Sequence, residues 1–100
     1  MIVTLCGSVS HPELLVAADR AYTLAGHHVL TPMPMGRPVT AAEMAELTDT
    51  HHAKIRMSDL VVVVRKPDGS IGESVRAEVA YAERVGVPVE YYEPAGKETP

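Results

Sequence analysis

Apolar residues fall along this chain with two alternating periods, one of a strand and one of a helix. Ile2 to Cys6 is a short β-branched and aliphatic run closed by Gly7-Ser8, the pattern of a strand that delivers the chain into a tight turn. From Pro12 the spacing becomes helical. Leu14, Ala18, Ala21, Leu24 and Ala25 mark one face, Pro12 suits a first turn, and Gly26 suits the position just past the helix end. His27 to Thr31 predicts a second strand, and the stretch Pro32 to Pro38, with three prolines, predicts a loop or lid. Thr40 and Glu43 have capping-box spacing, and Met44, Leu47, His51 and Ile55 follow at helical intervals up to Ser58. Asp59 to Arg65 contains four consecutive valines, the composition of a central strand covered on both faces. Lys66-Pro67-Asp68-Gly69 predicts a turn, Ser70 and Glu73 are spaced for a second capping box, and a helix runs to about Gly86. Val87 to Tyr92 is the last predicted strand.

The order β-α-β-α-β-α-β, with right-handed crossovers, predicts an α/β fold of the flavodoxin or Rossmann-like kind. It has three layers and a short parallel sheet in the order 2-1-3-4. Ligands of such sheets bind outside the carboxyl ends of the strands, where the winding reverses, here between the first and third strands. That puts Cys6-Gly7-Ser8 beside the loop from Lys66 to Ser74, which includes Ser70, Gly72 and Ser74. Both loops lead into helix N-termini, whose free N–H groups suit an anion.

Composition narrows the classes. A chain of 100 residues supports one core, expected over residues 1–93, with a polar, proline-bounded tail at 94–100. Nine Lys plus Arg against thirteen Asp plus Glu give a net charge of -4 with mixed signs, which argues against a surface that coats a nucleic acid polymer. Trp and Phe are absent, so the interior must be aliphatic. The lone Cys6 and the absence of a leader-like start point to the cytoplasm. No apolar run approaches the ~20 residues that span a bilayer, so no membrane partner is expected.

Two polar residues intrude on apolar stripes. Glu78 falls between Ala82 and Val85 and beside Val75 and Val79, facing the sheet near the crevice, where burial and the helix dipole push a carboxyl pKa in opposite directions. His51 lies at the centre of the stripe of Met44, Leu47 and Ile55. Each also has a plain structural reading: a stripe-edge glutamate paired with a cation, and a satisfied core histidine. Gly7-Ser8 fits a simple turn with an N-cap serine as well as a ligand loop. No dinucleotide or P-loop glycine motif is present. The pairs His27-His28 and His51-His52 are adjacent, the wrong spacing for a one-faced helical metal site, so neither metal nor cofactor is expected. Cys6 reads as a small packed hydrophobe before it reads as a nucleophile.

With these residues in place, the chain resembles the nucleoside 2-deoxyribosyltransferase superfamily, which includes the deoxynucleoside 5′-monophosphate N-glycosidases. Leu5-Cys6-Gly7-Ser8 is similar to the strand-one C-G-S turn of the N-glycosidase branch. Ser58-Asp59-Leu60-Val61-Val62 resembles its A-D-x-V-V segment, and Glu78-Val79-Ala80-Tyr81-Ala82 its E-I-G-Y-A helix motif. Leu5 to Ser8 together with Ile71-Gly72-Glu73-Ser74 is closer to small uncharacterised bacterial and phage members. The resemblance implies cleavage or transfer of an N-glycosidic bond in a nucleoside or nucleotide, with Glu78 as nucleophile. Ser8, Ser74 and nearby amides would hold phosphate or ribose hydroxyls, and Arg37 would close over the base. It also implies a homodimer or larger assembly. Two positions depart from the family pattern: Thr4 replaces a tyrosine, and His51 replaces a catalytic aspartate. His51 is then the candidate acid or orienting group, and Glu73 the candidate second carboxylate, although a capping role explains Glu73 equally well. The alternative is a nucleotide-binding or regulatory module without turnover.

Overall fold

The alternating periods become alternating elements in the computed structural model, which describes residues 1 to 94. They run β1 (Ile2–Gly7), α1 (Pro12–Leu24), β2 (His28–Leu30), α2 (Ala41–Met57), β3 (Leu60–Val64), α3 (Glu73–Arg84) and β4 (Val89–Tyr91). The strands form one parallel sheet in the expected order β2-β1-β3-β4. The tail expected from residue 94 onward lies, Pro94 apart, outside the described residues. No helix among those residues is long and apolar enough to cross a membrane.

The valine run forms the sheet's interior for the reason its composition suggested. Every residue of β3 is buried, because alternate side chains serve two separate cores. Leu60, Val62 and Val64 join Val3, Leu5, Leu15 and Ala18 beneath α1. Val61 and Val63 join Cys6, Ile55, Val75 and Ala82 beneath α2 and α3. The same alternation in β1 turns Thr4 and Cys6 toward α2 and α3. Thr4, fully buried, donates its hydroxyl to the Lys54 carbonyl at 3.1 Å and also bonds to Ser58. The polar position in this strand is therefore satisfied by the C-terminal turn of α2.

Strands β2 and β4 are shorter than hydrophobicity alone suggests, because the chain before each is engaged in ending a helix. After α1, Gly26 at φ +97° and His27 donate their N–H groups back to Thr23 and Tyr22. After α3, Gly86 at φ +82° and Val87 do the same to Glu83 and Ala82. Both are the paired backbone bonds of a glycine-terminated helix. Pro88 then has no N–H to give the ladder, though its carbonyl accepts from Val61 at 2.9 Å, so β4 starts at Val89. Asp59 precedes β3 and accepts the Ile2 N–H at 2.8 Å through its carboxylate, fastening the start of β1 to that of β3.

The first capping box forms as expected: Glu43 N–H donates to Thr40 Oγ1, and Thr40 N–H donates to the Glu43 carboxylate. The second does not form. Gly72 occupies the N-cap of α3 without a side-chain bond. Ser70 instead donates its N–H and hydroxyl to Asp68, closing the turn after β3 and holding the Asp68 carboxyl below its ordinary range. An aspartate two residues upstream competes successfully for this serine, because it closes a tight turn locally.

Candidate active site

A cavity of about 710 Å³ opens at the carboxyl ends of β1 and β3. Its walls come from the turn after β1, the proline-rich segment at Pro32 and Met33, one face of α2, Lys66 after β3, and the first two turns of α3. This is the reversal point of the winding, where neighbouring loops diverge and leave a crevice. At its back, Gly7 occupies a tight passage. A β-carbon there would stand 2.9 Å from Leu15 Cδ2 and 3.1 Å from both the Cβ and the carbonyl oxygen of Val64. A residue without a side chain lets the end of β1 pass this close to β3 and α1 without displacing Leu15 or crowding Val64.

His51 and Glu78 meet at the cavity, reaching it from α2 and α3. His51 Nε2 lies 3.6 Å from Glu78 Oε1 and 3.4 Å from the Sγ of Cys6, which lies behind them at the end of β1. His51 is 6% exposed and the Glu78 side chain 22%. The other ring nitrogen of His51, Nδ1, is buried without a hydrogen-bond partner among the described residues. The two helices are fastened one turn away, where the His52 and Tyr81 rings stack at 4.0 Å with an interplanar angle of 6°. Arg56 donates to the Tyr81 hydroxyl at 2.7 Å. The stack joins the neighbour of His51 to the residue one turn after Glu78, which holds the pair in register.

Burial dominates the protonation of this cluster. It raises Glu78 from 4.5 to about 7, against a smaller opposing effect from the Cys6 thiol. It lowers His51 from 6.5 to about 4, helped by the positive charges of Lys54 and His52. Cys6 is pushed up by burial and then by the Glu78 charge, so its sulfur is a thiol at neutral pH. The helix dipole does not offset burial at Glu78, which lies beyond the first turn of α3, where the dipole's influence has faded. Near neutrality the site holds an imidazole without charge beside a carboxyl close to half ionisation.

The remaining sequence candidates divide clearly. Gly7, Ser8, Gly72, Glu73 and Ser74 line the cavity with His51 and Glu78. Cys6 lies beneath the lining and has no exposed surface. Ser70 is turned into the Asp68 turn. Arg37 lies away from the lining: its guanidinium grips the Glu43 carboxylate at 2.8 and 3.0 Å and so reinforces the α2 cap. Glu43 is thereby held down at about 2, through Arg37 first and the Thr40 N–H second. A pre-existing bidentate partner is the physical reason this arginine does not reach the crevice.

Sequence reasoning passed over Lys66, which it treated only as part of a turn. It lines the cavity, as Ser8 and Ser74 do, and its Nζ would stand 3.6 Å from a β-carbon on Gly72. Among the described residues it makes no ion pair. A lysine in the loop that follows the central strand of a doubly wound sheet, two residues past its end, is the signal that was available, since that loop borders the crevice. Met33, Met44 and Leu47 also line the cavity and present apolar surface that suits a flat ring. The cavity lining thus combines lysines, hydroxyl groups, apolar side chains and a carboxyl group.

Fold and cavity together define a doubly wound parallel α/β domain with its ligand crevice at the switch point. Of the solved structures, a 2-deoxyribosyltransferase from the psychrotolerant bacterium Bacillus psychrosaccharolyticus, studied as a biocatalyst for nucleoside synthesis, has the same fold. It superposes with a TM-score of 0.75 at 14% identity, over 100% of this chain and 77% of the other. No known family profile matches the sequence, and no curated protein matches it.

Proposed function

We propose that this protein cleaves or transfers the N-glycosidic bond of a nucleoside or nucleoside 5′-monophosphate, with Glu78 as the nucleophile. The single observation that carries the reading is the inward-held Glu78 carboxyl, in the wall of a cavity whose lining also presents lysines, hydroxyl groups and apolar side chains. The shared fold with a 2-deoxyribosyltransferase supports it, as do the C-G-S and E-V-A-Y-A resemblances. Membership of that superfamily, and of its small bacterial and phage branch, belongs to the same proposal. So do a cytoplasmic setting and a homodimer or larger assembly.

In this reading the ribose or its 5′-phosphate is held by Ser8, Ser74, Lys66 and the first amides of α3, and the base rests against Met33, Met44 and Leu47. The Glu78 carboxylate attacks C1′. The bond from C1′ to the base nitrogen breaks, its electron pair leaves with the base, and a bond from C1′ to the Glu78 oxygen forms. Water or a second base then displaces the glutamate. His51, neutral near pH 7, acts as the orienting group for Glu78 rather than as an imidazolium acid, and Glu73 at the rim is the second carboxylate available to the leaving base.

The test is incubation with a panel of nucleosides and nucleoside 5′-monophosphates, with and without a second free base. Base release is expected from the wild-type protein, and at least roughly 10³-fold less from Glu78→Gln. Release no higher than in the Glu78→Gln control on every substrate rejects the reading. Ligand-induced thermal stabilisation without turnover would then favour a nucleotide-binding module. Thr4 is the observation on that side, since the position where the family has tyrosine is turned away under α2 and bonded there.

A further inference from the structure

Cys6, His51 and Glu78 come from β1, α2 and α3, and their sulfur, nitrogen and oxygen ligand atoms all lie within 4.8 Å of one another. The Sγ to Nε2 separation is 3.4 Å and the Nε2 to Oε1 separation is 3.6 Å. With a zinc–sulfur distance of ~2.3 Å and zinc–nitrogen and zinc–oxygen distances of ~2.0 to 2.1 Å, the edges of a tetrahedral site are about 3.6 Å for S to N and about 3.3 Å for N to O. Both observed separations are within a few tenths of an ångström of those edges. The histidine offers the same atom, Nε2, to both neighbours, so with the ring proton on Nδ1 its lone pair faces the space the three share. That space adjoins the cavity, because His51 and Glu78 line it. The expectation of no metal rested on the spacing of histidine pairs along the sequence, which carries no information about three ligands drawn from three elements.

We propose that Cys6 Sγ, His51 Nε2 and a Glu78 oxygen bind one zinc-class divalent cation at the cavity wall, with a fourth position open to the cavity, and that this ion excludes the sugar from Glu78. The donor set of one sulfur, one imidazole nitrogen and one carboxylate oxygen selects zinc or cobalt over magnesium or calcium, which need several hard oxygen ligands. Binding is balanced by proton release: the Cys6 thiol gives its hydrogen to solvent as the S–metal bond forms, His51 enters neutral through Nε2, and Glu78 enters as the carboxylate, giving its own proton to solvent wherever it was protonated. The second half of the proposal, competition with the sugar, rests on Glu78 being the nucleophile. The first half does not.

The experiment is a cobalt titration of chelator-treated full-length protein, followed by optical absorption. One equivalent is expected to produce a sulfur-to-cobalt charge-transfer band in the near ultraviolet, with visible bands of four-coordinate intensity. Added zinc should bleach both, and millimolar magnesium should leave them unchanged. Cys6→Ser, isosteric and tolerable in a buried site, should lose the charge-transfer band and weaken zinc binding by roughly 10²-fold or more. Glu78→Gln should weaken it as well. Calorimetry at about pH 8.5, where Glu78 is already ionised, in buffers of different ionisation enthalpy should read close to one proton released per ion, that of the Cys6 thiol. An octahedral aquo-cobalt spectrum, or an unchanged charge-transfer band in Cys6→Ser, overturns the site. Zinc is further expected to suppress base release and a chelator to restore it. A cobalt site of the expected spectrum in a protein with no Glu78-dependent base release supports the metal site and removes the glycosidic reading. Base release unaffected by saturating zinc overturns the competition.

Discussion

His51 Nε2 faces Glu78 Oε1 at 3.6 Å, and folding moves one proton between these two residues without changing how many they hold together. In the unfolded chain the ordinary values are 4.5 for the carboxyl and 6.5 for the imidazole, so between them the histidine carries the proton. In the fold burial raises Glu78 to about 7 and lowers His51 to about 4, so the carboxyl carries it instead. Two buried charges are replaced by two neutral groups, which is the cheaper state in a medium of low dielectric.

A stability profile follows from that exchange. The raised Glu78 contributes stability that is fully present below 4.5 and lost as pH rises through about 7. The lowered His51 contributes stability that is present above 6.5 and lost as pH falls through about 4. Between 4.5 and 6.5 the two slopes cancel, so their contribution to unfolding free energy in metal-free wild-type protein is flat. Glu78→Gln leaves only the histidine slope, and stability should rise with pH across the window by roughly 1–3 kcal/mol. His51→Asn leaves only the carboxyl slope, and stability should fall by a similar amount. Urea unfolding at a series of pH values reads both, and variant slopes of the same sign would contradict the exchange.

The pH dependence of turnover is set by the same carboxyl. Glu78 must be ionised to attack a sugar, so kcat/KM with chelator present should rise through an apparent pKa of about 7 and level off above it. His51, neutral throughout this range, adds no second limb near 6.5. A rate profile already level at pH 5 would mean that the reacting carboxyl is an ordinary exposed one.

Gly7→Ala tests whether the close passage of β1 is required. The added carbon meets the flexible end of Leu15, which can move, and the Val64 carbonyl oxygen, which belongs to the central strand and cannot move freely. A loss of about 1–3 kcal/mol in unfolding free energy is expected, the usual cost of overpacking. Thermal or urea unfolding checks it. An unchanged midpoint would mean that the crevice floor is more yielding than its packing implies.

Lys66 lines the cavity, and unlike Lys54, which donates to the Thr31 carbonyl, it makes no ion pair or hydrogen bond through its ammonium among the described residues, so its removal should discriminate between substrates. Lys66→Gln is expected to lower kcat/KM for nucleoside 5′-monophosphates by about 10-fold or more, the loss of one charge-assisted contact. Unphosphorylated nucleosides should be little affected. Paired kinetics on one nucleoside and its 5′-monophosphate measure this, and equal losses on both would place the lysine's role in the fold.

The architecture was legible because period and punctuation agreed at nearly every element. Gly26 and Gly86 each marked a helix end, the Thr40 cap marked a helix start, and the valine run marked the strand with two buried faces. What failed depended on competition for a partner. Ser70 has cap spacing to Glu73, but Asp68 is nearer and takes it. Arg37 has the charge to reach a ligand, but Glu43 lies six residues away on the adjoining helix turn and accepts from both terminal guanidinium nitrogens. In the site, helical periodicity was enough to turn His51 and Glu78 inward. It carried no information on the distance between them or on the thiol beside them, since those follow from how α2 and α3 sit across β1.

The most direct measurement is to find where a sugar becomes attached. A nucleoside bearing fluorine at C2′ of its sugar slows release of a glycosyl-enzyme ester, because the electronegative substituent destabilises the positively charged transition state of the second step. Intact-protein mass spectrometry after reaction should read an added mass equal to the fluorosugar, and peptide mapping should locate it on Glu78, with no adduct in Glu78→Gln. Base release with the label on any other residue, or an equal adduct in Glu78→Gln, would contradict the assignment of this carboxylate as the nucleophile.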